Sequence, residues 1–138
     1  MATTQGISGP GRSAAVLGGM AVGGLMSVIG PVLVAGTPLM PAPLFPLLRT
    51  GVEKLGWPAL VLLLGLGVLG GLLSSVRASW LGLASVALLP LAAVLEIAKD
   101  GTSHNLIPLE LGMYLFVSLA AGIGARGARW ARCRRRSR

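Results

Sequence analysis

Residues 57–76 read WPALVLLLGLGVLGGLLSSV, twenty residues without one charge. At about 1.5 Å per residue, about 20 helical residues cross the hydrocarbon core of a bilayer. A soluble helix of this length shows a polar face; this run has none before Ser74, so its surroundings are apolar all round. Trp57 suits an interfacial anchor, and Pro58 suits the first helical turn. The run predicts a membrane span, and the whole chain agrees. Of its 138 residues, 54% are hydrophobic and 12% charged, with a mean hydropathy of +0.80. Disorder needs low hydrophobicity. A disulfide scaffold needs more than the single Cys133. A soluble domain of this size could not hide so much apolar surface.

Three further apolar runs flank it, giving expected spans at about 14–35, 57–76, 80–98 and 109–125. The predicted fold is all-α: four transmembrane helices in an antiparallel bundle. The expected membrane domain covers 14–125, after a flexible N-terminus at 1–13 and before a basic cytoplasmic tail at 126–138. The first run is longer than the 7–15-residue core of a signal peptide, so a retained helix is expected. Gly19 with Gly23, and Gly67 with Gly71, make G-x-x-x-G pairs, and Gly122 follows Ser118 at the same spacing. These five glycines are expected to let helices approach closely. Residues 37–50 carry Pro38, Pro41, Pro43 and Pro46. That segment is expected to lie along the interface as extended chain, with one helical turn near Phe45. The short turn at Arg77 predicts a tight antiparallel hairpin of spans two and three. Pro90 should remove the hydrogen bond to the Val86 carbonyl and kink span three.

The net charge is +8, from twelve Lys+Arg against four Asp+Glu. Seven of the twelve cations fall in the tail, as Arg126, Arg129, Arg132, Arg134, Arg135, Arg136 and Arg138. A basic run after an apolar span is a topology signal and a contact for anionic lipid headgroups. With only Trp130 interleaved, it lacks a base-stacking platform, and no nucleic-acid partner is expected. Four spans put Arg12, Arg77 and the tail on one side, against Arg49, Lys54 and Lys99 on the other. The positive-inside rule then sets both termini in the cytoplasm. The Ala/Gly/Leu/Arg-heavy usage points to a bacterial inner membrane.

The sequence contains no G-x-S-x-G, H-E-x-x-H, C-x-x-C or phosphate-binding glycine loop. One histidine and one cysteine preclude a two-histidine metal site within the chain, and no metal or cofactor is expected. The one polar constellation is Glu96, Asp100, Thr102, Ser103, His104, Asn105 and Glu110, with Lys99 among them. It reads either as a solvated loop capping two helices or as a polar site at the outer mouth of the bundle. An acid in a membrane span is a functional candidate by default. Glu96 lies only about two residues from the expected helix end, where its carboxylate reaches the interface at small cost.

The stretch Lys99-Asp100-Gly101-Thr102-Ser103-His104-Asn105-Leu106-Ile107-Pro108-Leu109-Glu110 resembles a D-x-T-S-H-N-x-x-P-x-E loop. Such loops join two membrane helices in small four-helix bacterial integral membrane proteins. The resemblance covers about twelve residues and implies no activity. It marks Asp100, Thr102, Ser103, His104, Asn105, Pro108 and Glu110 as the first positions to mutate. Gly101 departs from the pattern, which as often carries proline there.

The expected function is a non-enzymatic accessory or assembly component that binds other membrane proteins. The alternative is an oligomeric small channel or transporter using Glu96 and the outer polar loop 99–110. A metal-dependent enzyme built on Asp100, His104 and Glu110 ranks last. The expected partners are the lipid bilayer and either another membrane protein or further copies of the chain.

Overall fold

A computed structural model describes residues 10–42, 44–99 and 107–137. Among these the secondary structure is entirely helical: α1 (Pro10–Ala35), α2 (Pro46–Glu53), α3 (Trp57–Leu73), α4 (Ala78–Val86), α5 (Leu88–Lys99) and α6 (Ile107–Arg136). Gly11–Ala35, Ala78–Lys99 and Glu110–Arg135 are each long and apolar enough to cross a membrane. The pair α2 and α3, bent by 98°, makes a fourth candidate if taken as one span.

α1 ends where glycine permits. Gly36 has φ +59, its N–H donates to the Leu33 carbonyl at 3.3 Å, and Thr37 N–H donates to Val32 at 3.2 Å. This left-handed cap satisfies two of the carbonyls left open at the helix end.

Four helical columns pack through small residues. A Cβ on Gly67 would overlap the Ala121 carbonyl, and one on Gly71 would stand 2.6 Å from the Ala125 carbonyl. α3 and α6 therefore run in the same direction with backbones touching. Gly82 meets Ser118, and Gly122 meets Ala78, so α4 and α6 run in opposite directions. Gly70 meets Met20 and Gly23 meets Leu66, which sets α1 opposite to α3. Gly24 abuts the Ser85 carbonyl, and Val28 shares a core cluster with Leu89, so α1 and α4–α5 run in the same direction. Lipid tails are as apolar as leucine, so dispersion at close range, not water exclusion, holds such contacts.

The core has two layers. Val28, Leu63, Val86, Leu89, Tyr114 and Val117 form one; Met20, Leu81, Ala121 and Ala125 form the other. Buried hydroxyls are satisfied by their own helices: Ser85 Oγ donates to Gly82 O at 2.7 Å, and Ser118 Oγ donates to Leu115 O at 2.7 Å. The outside is apolar, with Val34, Phe116, Ile123 and Trp57 among the exposed large side chains.

Several expectations need correction. The first turn of α1 takes in residues 10–13, which the flexible terminus was to include; residues 1–9 lie outside the described set. The proline-rich segment contains a two-turn helix, because Pro46 is preorganised for its first turn. Span two ends at Leu73, since Ser74 turns extended and gives both its N–H and Oγ–H to Gly70 O. α6 runs through the basic tail to Arg136: arginine is a good helix former, and buried Ala128 continues the packed face. The closest partner of α3 is α6, not α4, because its glycine face is turned there. Gly19 faces open space, while Gly24 makes the close approach on α1. Near Pro90, where a kink is expected, Ala87 interrupts the helix between α4 and α5, and its N–H turns to Ala84 O at 3.2 Å.

Candidate functional site

Two ends of the molecule carry its polar chemistry. Glu96 sits on α5, one turn from its end, and its Oε1 accepts the backbone N–H of Phe45 at 3.1 Å. Phe45 is the residue preceding the first turn of α2, where no side chain of α2's own caps the helix. Glu96 thus holds the entry of α2 from a helix fifty-one residues away in sequence. A charge-assisted bond of this kind is stronger than one between neutral groups.

α2 is fixed from below as well. Fully buried Thr50 donates its Oγ1–H to Pro46 O at 2.7 Å and accepts Met40 N–H at 2.8 Å. One hydroxyl thereby ties the segment 37–42 to the helix. Gly51 lies against the Val28 carbonyl of α1, 2.9 Å from where its Cβ would stand. On the outer side Arg49 Nε pairs with Glu53 Oε1 at 3.1 Å, both side chains about half exposed. Under α2, between α1 and α5, lies an apolar cleft of about 400 Å³. Leu25, Ile29, Phe45, Leu48, Leu91 and Leu95 are among its walls.

Glu110 opens α6, where an acid favours the helix dipole. Tyr114, one turn on and buried, is within electrostatic reach of Glu110 and Glu96. The structure therefore brings Glu96, Glu110 and Tyr114 to one region. Asp100, Thr102, Ser103, His104 and Asn105 lie outside the described residues. Among the described residues no group of three His, Cys, Asp or Glu side chains is placed to hold a metal. Sequence reasoning missed Thr50 and Phe45 N–H as partners of this end. A β-hydroxyl four residues after Pro46 was the available signal for Thr50.

The opposite end is basic. Arg12 Nη2 donates to Leu73 O at 3.4 Å, and Arg132 Nη2 donates to Leu72 O. Both cations meet the carbonyl end of α3, where the helix dipole favours positive charge. Arg134 lies over the ring of Trp130, 5.2 Å from its centroid. Arg126 and Arg135 are exposed. Nothing is described for the side chain of Arg136 or for Arg138. Arg129 differs from all of these: its Nε and Nη2 are buried and have no hydrogen-bond partner.

No protein-family model, curated protein or solved structure matches this chain.

Proposed function

We propose that the chain is a non-enzymatic accessory or assembly component of a bacterial cytoplasmic membrane, and that it binds another membrane protein. In this reading it is a four-span antiparallel bundle with both termini in the cytoplasm. The observation that carries the partner reading is the outer face of α1. Ala14, Ala15, Gly18 and Gly19 are exposed there, and neither glycine has a neighbour within 4 Å of its Cβ position. At Gly67 and Gly71 a small-residue face is closed by another helix of the same chain. An open small-residue face of the same kind accepts a helix from a different chain. The orientation is supported by the gathering of Arg12, Arg132 and Arg129 at one end, against Glu96 and Glu110 at the other.

Native mass spectrometry of protein extracted gently from its host membrane tests this. The expected result is a mass that includes a second polypeptide in fixed ratio. Gly19→Leu has room in this chain, so it should fold normally and lose that partner. A mass at an integer multiple of the chain alone would replace the accessory role with an oligomeric channel or transporter using Glu96 and loop 99–110. In that case Glu96→Gln should reduce ion or proton flux in liposomes.

A further inference from the structure

Arginine cannot shed its proton in a protein. A buried lysine or acid escapes an unfavourable site by neutralising; a guanidinium needs an acceptor. Arg129 has Nε and Nη2 buried with no partner among the described residues. These two nitrogens form one side edge of the guanidinium plane, the edge that binds a phosphate or carboxylate through two parallel hydrogen bonds.

Three of the protein's own acceptors at the end of α3 are already engaged. The pairing of Gly67 with Ala121 and Gly71 with Ala125 brings Arg129 to the end of α3. There Gly70 O takes Ser74, Leu72 O takes Arg132 and Leu73 O takes Arg12. No acid is at hand on α6 itself, since Glu110 lies nineteen residues earlier, about 28 Å along the helix axis. Glu53 and Glu96 belong to the opposite end. The surroundings are instead cationic, with Arg12 and Arg132 on the same helix end and exposed Arg126 one turn back. Next to Arg129 is Trp130, 65% exposed, a residue type that settles at headgroup depth.

We propose that Arg129 is the centre of a phosphate-binding site between the end of α3 and α6. Its Nε–Nη2 edge holds two phosphate oxygens, with Arg12 and Arg132 supplying further positive charge. The group bound is an anionic phosphate, either the phosphodiester of a lipid headgroup or free inorganic phosphate. The site is independent of the partner proposed for α1.

The test uses the full chain in a neutral detergent, titrated separately with dioleoyl phosphatidylglycerol and with inorganic phosphate. Native mass spectrometry counts what stays bound. Wild type is expected to retain one anion per chain, and Arg129→Gln to bind it at least about tenfold more weakly. Arg129→Lys, which keeps the charge and loses the fork, should fall between them. Arg134→Gln/Arg135→Gln should bind as wild type. Loss confined to phosphatidylglycerol identifies the lipid as the source; loss of inorganic phosphate binding identifies the free anion. If neither probe binds wild type, or if Arg129→Gln and Arg129→Lys both match it, the site is overturned. Equal weakening by the Arg134/Arg135 pair would also overturn it, leaving only diffuse attraction to the tail. Should Arg129→Gln fail to fold, the Arg129→Lys comparison decides alone.

Discussion

Replacing Gly67 by leucine would drive a branched side chain into the Ala121 carbonyl. Backbone cannot yield there as a flexible side chain would, so α3 and α6 must separate. Overpacking of this kind costs about 1–3 kcal/mol, and the thermal midpoint in detergent should fall accordingly. Gly23→Leu should cost less, because its first obstacle is the mobile end of Leu66. Glu96 makes a different kind of prediction. Glutamine keeps an oxygen for Phe45 N–H but loses the charge, so Glu96→Gln should cost about 1 kcal/mol or less. Glu96→Leu orphans that N–H and should cost about 1–3 kcal/mol, read as a lowered thermal midpoint. At this scale the sequence reported spacing but not facing. G-x-x-x-G marks Gly19 and Gly67 alike, and only the rotation of each helix decides which one meets a neighbour. Arg129 was likewise grouped with its tail neighbours, because burial of one arginine among seven leaves no trace in composition.

The short helix α2 depends on long-range ties more than on its own eight residues. A helix this short is marginal in isolation. Thr50 and Glu96 supply what propensity does not. Thr50→Val keeps the shape and removes both bonds of the hydroxyl, so the Met40 amide should lose its protection against hydrogen exchange. Amides deep in α3 should keep theirs. The apolar runs made the long helices legible, since a membrane span is written in hydropathy alone. Pro46 and its three proline predecessors masked α2, because proline breaks a helix from inside yet starts one from its first turn. The same limit applied to the tail. Arginine density signalled topology, whereas the helix continues there because buried Ala128 extends its packed face.

The molecule is polarised along its length. Arg12, Arg129, Arg132 and the exposed tail arginines gather at one end, and Glu96, Glu110 and the Arg49–Glu53 pair at the other. Replacing the seven arginines of the tail by glutamine removes most of the bias that orients the chain. With both termini cytoplasmic, as proposed, a C-terminal reporter should then lose its cytoplasmic signal in part or entirely. A fully cytoplasmic signal would mean that Arg12 and Arg77 are sufficient. Charge asymmetry of this kind was legible from the sequence, because it depends on counting residues between spans and not on their packing.

The most extensive helix contact joins α3 to α6, which is made later in the chain. In the four-span reading proposed above, α3 enters the bilayer with its glycine groove open. It stays so until α6, a helix of 30 residues, has been made. Until then the nascent chain offers a vacant helix-sized slot. Any membrane helix with small residues at matching spacing competes for it, so the order of translation itself guards or endangers correct assembly.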